Sequence, residues 1–145
     1  MHSFLKLIET FDSDNLARGL QFEKLCKWLL ENHPLYTSKL KQVWLWDDWP
    51  DRWGRDKGID LVAEDFDGNN WAIQAKCYDP QYYVTKTDLD KFLSESTNVK
   101  INHRLLIATT DCLGKETANF IERSNQVISV NQLMLSDLLE APIDW

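Results

Sequence analysis

Gly58-Ile59-Asp60-Leu61-Val62-Ala63, a turn through Asp67-Gly68-Asn69-Asn70, and Trp71-Ala72-Ile73-Gln74-Ala75-Lys76-Cys77-Tyr78 form the stretch that decides the fold. Both arms alternate with period two and carry the β-branched and aromatic residues of strands. Asp67-Gly68 between them signals a hairpin, because a tight turn needs residues that tolerate positive φ. A turn centred on Asp67 and Gly68 sets residue 60 opposite residue 75 and brings Asp60 beside Gln74 and Lys76. The period of two puts Gln74 and Lys76 on one face of their strand, with Ile73, Ala75 and Cys77 on the other. A carboxylate, an amide and an ammonium thus cluster on an otherwise apolar hairpin. Burying part of a charge costs several kcal/mol unless it is paired or metal-bound. The bland alternative is a hairpin with one wet face.

Upstream, Asp12-Ser13-Asp14-Asn15 offers N-cap oxygens for a helix running to about Glu31. Phe22, Leu25, Cys26, Leu29 and Leu30 repeat as a buried stripe. Glu23 falls at the edge of that stripe. From there it can point along the core boundary toward a site, or it can be a solvated partner of Lys27 one turn on. His33-Pro34 ends the helix. Val43-Trp44-Leu45-Trp46 reads as a strand, and residues 47–57 as a loop. Four of the chain's seven Trp residues lie between Val43 and Trp53. With Arg52 and Arg55 nearby they can stack on nucleic acid or pack over a sheet edge.

Downstream, Thr87-Asp88-Leu89-Asp90 starts a helix to about Asn98. Arg104-Leu105-Leu106-Ile107-Ala108-Thr109-Thr110 has the apolar continuity of a central strand. A helix over 114–124, a strand Val127-Ile128-Ser129-Val130 and a last helix capped by Asn131 complete the chain. The order predicts a mixed β-sheet with helices on both faces, an α/β fold.

Length and composition fit one soluble domain: 145 residues, 43% hydrophobic and 27% charged. No apolar run is long enough to span a membrane, and residues 1–6 lack a signal-peptide layout. Cys26, Cys77 and Cys112 form no CxxC pair, so they are expected as buried hydrophobes in a reducing cytoplasm. The net charge of −7 opposes free-standing DNA binding. A local cluster of Arg52, Arg55, Lys57, Lys76, Lys86 and Lys91 offsets it in part. Presentation of DNA by another domain offsets it better.

Asp60 followed by Gln74-Ala75-Lys76 resembles the D…(D/E/Q)-x-K signature of restriction-endonuclease-like nucleases, and its Gly-Ile-Asp and Gln-Ala-Lys forms resemble the Mrr-like branch. Gly19-Leu20-Gln21-Phe22-Glu23 resembles the Gly-x-x-Phe-Glu helix that opens such domains. The Trp-rich segment and the closing Ala-Pro-Ile-Asp-Trp look like the amino-terminal nuclease domains of type ISP enzymes. The resemblance implies a restriction-endonuclease-like three-layer α/β/α fold over residues 1–145 with a central mixed sheet. It implies Mg²⁺, with Mn²⁺ as substitute, held by Asp60, the Gln74 side-chain oxygen, the Ala75 carbonyl and Glu23. Lys76 would orient the attacking water and stabilise developing charge. Arg52, Arg55, Lys57 and Lys86 would meet double-stranded DNA. Helicase-like translocase and methyltransferase domains are expected on the same polypeptide. Gln74 departs from the Glu or Asp of many relatives and removes one charge from the metal set. The competing expectations are a nuclease-fold module that binds nucleic acid or a protein without cutting, and a nuclease for RNA or for branched or modified DNA.

Overall fold

The structure is a computed structural model that describes residues 3–55, 58–124 and 130–145. Helix α1 spans Ser3–Glu9, α2 Asn15–Asn32 and α3 Pro34–Thr37; strand β1 spans Leu40–Leu45. A single 3-10 turn, Trp46–Asp48, follows β1. Then come β2 (Leu61–Asp65), β3 (Asn70–Lys76), α4 (Lys86–Glu95), β4 (His103–Ala108), α5 (Lys115–Ser124), β5 (Val130–Leu133) and α6 (Leu135–Glu140). The five strands lie in the order β1-β2-β3-β4-β5. The first three pair antiparallel, and β3, β4 and β5 pair parallel, so the sheet is mixed.

Side-chain alternation divides the sheet into two buried faces. Leu61, Ala63, Ile73, Ala75, Leu105 and Ile107 meet Phe22, Cys26, Leu29 and Leu30 of α2 and Phe4 of α1. Val62, Ala72, Leu106 and Ala108 meet Leu89, Phe92 and Leu93 of α4 and Ile121 of α5. This is the three-layer α/β/α arrangement expected from the sequence. The stripe on α2 is buried as its spacing predicts, with Leu25 half-covered at its margin.

The hairpin register differs from the expected one. Leu61 pairs with Ile73 and Glu64 with Asn70, so Gln74 rather than Ala75 falls opposite Asp60. The cause is the loop. Asp65 N–H bonds the Asn69 carbonyl, and the three residues between them carry Gly68 at φ 84°. A three-residue loop with glycine in the left-handed position centres the turn on Asp67, half a residue earlier than a two-residue turn. Asp65 organises this loop: its buried carboxylate accepts from Asp67 N, Asn69 N and the Trp71 indole.

Further differences sit at element ends. Strand β1 begins at Leu40 and stops at Leu45, so Trp46 belongs to the 3-10 turn. Pro34 ends α2 and also opens α3 as its first residue, where its missing N–H costs nothing. Asn131 lies within β5, and α6 is capped instead through Met134 N–H bonding the Asp137 carboxylate. Of the strand expected at 127–130, residues 127–129 lie outside the described residues. Cys26 is buried as expected, whereas Cys77 and Cys112 are partly exposed.

Candidate active site

Asp60 stands where β2 and β3 separate. Its N–H bonds the Ile73 carbonyl at 2.9 Å, and its carbonyl accepts Trp46 N–H at 3.0 Å. One step further along β3, the Ala75 N–H turns to the Asp60 Oδ2 at 2.8 Å. A side-chain carboxylate thus replaces a backbone carbonyl in the ladder, and the strands fork around it. Gly58 lets the chain enter this position. It has φ 71°, and a Cβ there would stand 2.8 Å from Lys91 Cγ. Beyond Lys76 the β3 end is fastened to β4, because the Thr109 hydroxyl both accepts Tyr78 N–H and donates to the Tyr78 carbonyl.

Glu23 reaches the fork from α2, whose start is fixed by the Asp14 carboxylate accepting Ala17 N–H. Burial raises its pKa to about 7, with the Asp60 charge adding to the rise, Lys76 opposing it and Asp47 contributing. Two carboxyl groups within mutual electrostatic reach, one of them half-protonated near neutrality, are the electrostatic mark of a cation site or an acid–base pair. Burial, then the charge of Asp88 and the neighbouring Tyr82 and Asp60, also pushes the Tyr78 phenol up.

Glu23 and Asp60 line two adjoining hollows. The larger, about 950 Å³, is walled by Leu16 and Leu20 on one side and by Trp46, Asp47, Pro50, Arg52 and Arg55 on the other. The smaller, about 420 Å³, contains Arg18, Gly19, Ala75, Lys76, Cys77 and Tyr78. Asp60, Glu23, Lys76 and Ala75 therefore come together. Gln74 lines neither hollow; it is only 3% exposed, with Nε2 donating to the Gly58 carbonyl at 3.4 Å. Its Oε1 is buried and has no hydrogen-bond partner among the described residues.

The cationic residues divide. Arg52 and Arg55 line the larger hollow, and Arg52 is braced by a bond to the Trp49 carbonyl at 2.9 Å. Lys86 opens α4, ion-paired to Asp90 at 3.0 Å, and lines neither hollow. Lys57, like Asp56, lies outside the described residues. Trp46, Trp49 and Trp53 pack on one another, with ring centroids 5.0 to 6.1 Å apart. Trp46 and Trp49 are buried and do not offer free stacking faces; Trp46 forms part of the wall of the larger hollow.

Sequence reasoning passed over Arg18, Cys77, Tyr78 and Asp47. For Arg18 a signal existed: its neighbour Gly19 precedes Glu23 by four residues, one helical turn on the same face.

The donor set fits a hard divalent cation. Among the described residues no group of three His, Cys, Asp or Glu side chains is placed to hold a metal ion by itself, so a cation here would also need neutral oxygens. Two carboxylates with neutral oxygens to complete the shell, and an orphaned buried amide oxygen at Gln74, are the ligand types that Mg²⁺ takes.

A family model for restriction endonucleases matches residues 31–145. The chain is similar over its whole length to the ATP-dependent type ISP restriction-modification enzyme LlaBIII, solved bound to DNA, at 30% identity and a TM-score of 0.82. It spans 9% of that enzyme's chain. The DNA modification-dependent restriction endonuclease AspBHI shares the fold over 82% of this chain, at 16% identity and TM-score 0.55, with 29% of its own chain covered. A protein of unknown function, AF1548, does so over 83%, at 15% identity and TM-score 0.54, with 64% of its own chain covered. No curated protein matches the chain.

Proposed function

This chain belongs to the restriction endonuclease family, and from that premise we propose that it is a divalent-metal-dependent endonuclease module that hydrolyses phosphodiester bonds in double-stranded DNA. The observation that carries the reading is the Asp60 carboxylate held at the β2–β3 fork, with Glu23 and Lys76 lining the same hollow.

Asp60 and Glu23 would hold the metal, with the Gln74 amide oxygen and the Ala75 carbonyl as neutral donors; Mg²⁺ is the expected ion and Mn²⁺ a substitute. When bound, the ion would supply Lewis-acid stabilisation of the phosphoryl oxygens. The chain's own groups do the rest. Lys76 orients the attacking water and stabilises charge that develops on the phosphate. Glu23, whose carboxyl is raised to about 7 by burial and the Asp60 charge while the site is metal-free, would release its proton as the cation binds. Arg52 and Arg55 receive the flanking backbone in the larger hollow.

The excess of 23 acidic over 16 basic residues makes long-range attraction to DNA weak. This supports a module fed by a helicase-like translocase, with a methyltransferase on the same polypeptide, in a cytoplasmic restriction system. The type ISP match, of which this chain spans 9%, supports that placement. Among the described residues no helix is long and apolar enough to cross a membrane.

A second reading is a nuclease-fold module that binds without cutting. It is favoured by Gln74, whose neutral amide is engaged with Gly58. Incubating the chain with supercoiled plasmid, with Mg²⁺, with Mn²⁺ and with EDTA, separates the two. Metal-dependent nicking that disappears in Asp60→Asn supports the nuclease. Absence of nicking with either metal, in a folded chain that still binds duplex, supports the second reading.

A further inference from the structure

We propose that Arg18 and Gly19 form a seat for a backbone phosphate of the substrate strand, beside the Glu23–Asp60 pair and apart from the Arg52–Arg55 wall. The proposal rests on the nucleic-acid reading above and adds a binding position to it.

Arg18 lies on α2 in the smaller hollow, together with Lys76 and the two carboxylates. Its Nε donates to the Cys77 sulfur at 3.3 Å. A thiol sulfur is a weak acceptor, so this bond aims the guanidinium without neutralising it. Among the described residues Arg18 has no carboxylate partner. Other cations of the chain are engaged: Lys27 with Glu31, Lys86 with Asp90, and Arg104 with Ser96. The charges that shift Glu23 come from Asp60, Lys76 and Asp47. A half-buried guanidinium aimed by Cys77, lining the same hollow as Glu23, Asp60 and Lys76, suits a bidentate anion such as phosphate.

Gly19 is the second observation. It sits inside an 18-residue helix, where glycine is unfavourable relative to alanine. Packing does not require it, since a Cβ at Gly19 would find nothing within 4 Å. The missing side chain instead leaves the floor of the hollow open where a sugar–phosphate backbone would approach. The two hollows meet at Glu23 and Asp60. A strand crossing both would have its scissile phosphate at the carboxylates, Arg52 and Arg55 on one side and Arg18 on the other.

The test uses the 145-residue chain and a fluorescent 20-base-pair duplex of mixed sequence in EDTA, so that binding is read without cleavage. Anisotropy is recorded over a salt series, with thermal melts alongside. Arg18→Gln should lower affinity about tenfold at low salt and reduce the slope of log K against log salt by about one. Arg18→Lys should retain the slope. Gly19→Leu should melt at or above the parent temperature yet bind more weakly, because it fills the hollow. Arg18→Gln with the parent's slope, or Gly19→Leu with the parent's affinity, overturns the seat while leaving the nuclease reading in place. A folded parent that neither binds the duplex nor nicks plasmid overturns both.

Discussion

The Asp60 carboxylate accepts the backbone N–H of Ala75 at 2.8 Å, at the fork where β2 and β3 part. One acid therefore has two tasks. It satisfies a strand donor that has lost its ladder partner, and it presents negative charge to the hollow shared with Glu23 and Lys76. Replacements at this position must keep the first task if they are to report on the second.

Asp60→Asn keeps an acceptor oxygen for Ala75 N–H and removes the charge. Metal-dependent nicking should fall at least about 100-fold. Unfolding free energy should change by less than about 1 kcal/mol, because the weaker neutral acceptor for Ala75 N–H and the relief of Glu23 repulsion oppose each other. Plasmid nicking and urea titration of the same preparation check both parts. Nicking at the parent rate would remove Asp60 from the site.

Glu23 makes metal-free stability depend on pH. Burial first, and the Asp60 charge second, raise its folded-state pKa from 4.5 to about 7, so the folded chain binds this proton more tightly than the unfolded chain. Its stabilising contribution is complete below about pH 4.5 and is lost as pH rises through about 7. The side chain is only half-buried, so solvent screening reduces the effect to about 1–2 kcal/mol. Urea midpoints from pH 4.5 to 8 should show this decline in the parent, and Glu23→Gln should flatten it. Parallel curves for the two proteins would place the Glu23 carboxyl in ordinary solvent.

Gln74→Glu should weaken the metal-free fold and strengthen the response to Mg²⁺. The substitution removes the Nε2 donor that meets the Gly58 carbonyl and leaves a carboxylate in a nearly closed site. That costs about 1–3 kcal/mol, and bound metal should restore it by mass action. Melts across a Mg²⁺ titration give the comparison. If the variant gains no more from Mg²⁺ than the parent does, Gln74 does not belong to the metal set.

Asp65 is predicted to matter for the hairpin and not for chemistry. Burial alone would raise its pKa, but hydrogen bonds from Trp71, Asn69 and Asp67 outweigh burial and hold the carboxyl below its ordinary value. Asp65→Ala leaves the buried Trp71 indole without its acceptor and frees two loop N–H groups. The expected loss is about 2–4 kcal/mol by urea denaturation. Asp65→Asn should recover part of it. A loss under about 0.5 kcal/mol would show that the loop is held by Gly68 and strand pairing alone.

The sequence by itself determined the elements and the layers. Period-two runs around Asp60 and Gln74 marked a hairpin, the Phe22–Leu30 stripe marked a buried helix, and Leu105–Ile107 marked a central strand. These patterns are local consequences of which side chains leave water, so they are legible without coordinates. The same local patterns placed Asp60, Gln74, Lys76 and Glu23, and the resemblance of their motifs to Mrr-like nucleases supplied their expected roles. Tertiary structure alone decided how they meet. The three-residue loop at Phe66–Gly68 moved the register, and the fork turned the Asp60 carboxylate onto Ala75 N–H. Trp46 and Trp49 were buried against each other and Trp53, leaving Trp46 as part of the hollow's wall. Lys86, near in sequence to other candidates, lined neither hollow, whereas Arg18, separated from Cys77 by 59 positions, lay against it. Such outcomes depend on where a turn places a strand end and where a helix crosses it. Those are long-range distances, and residue spacing along one chain does not encode them.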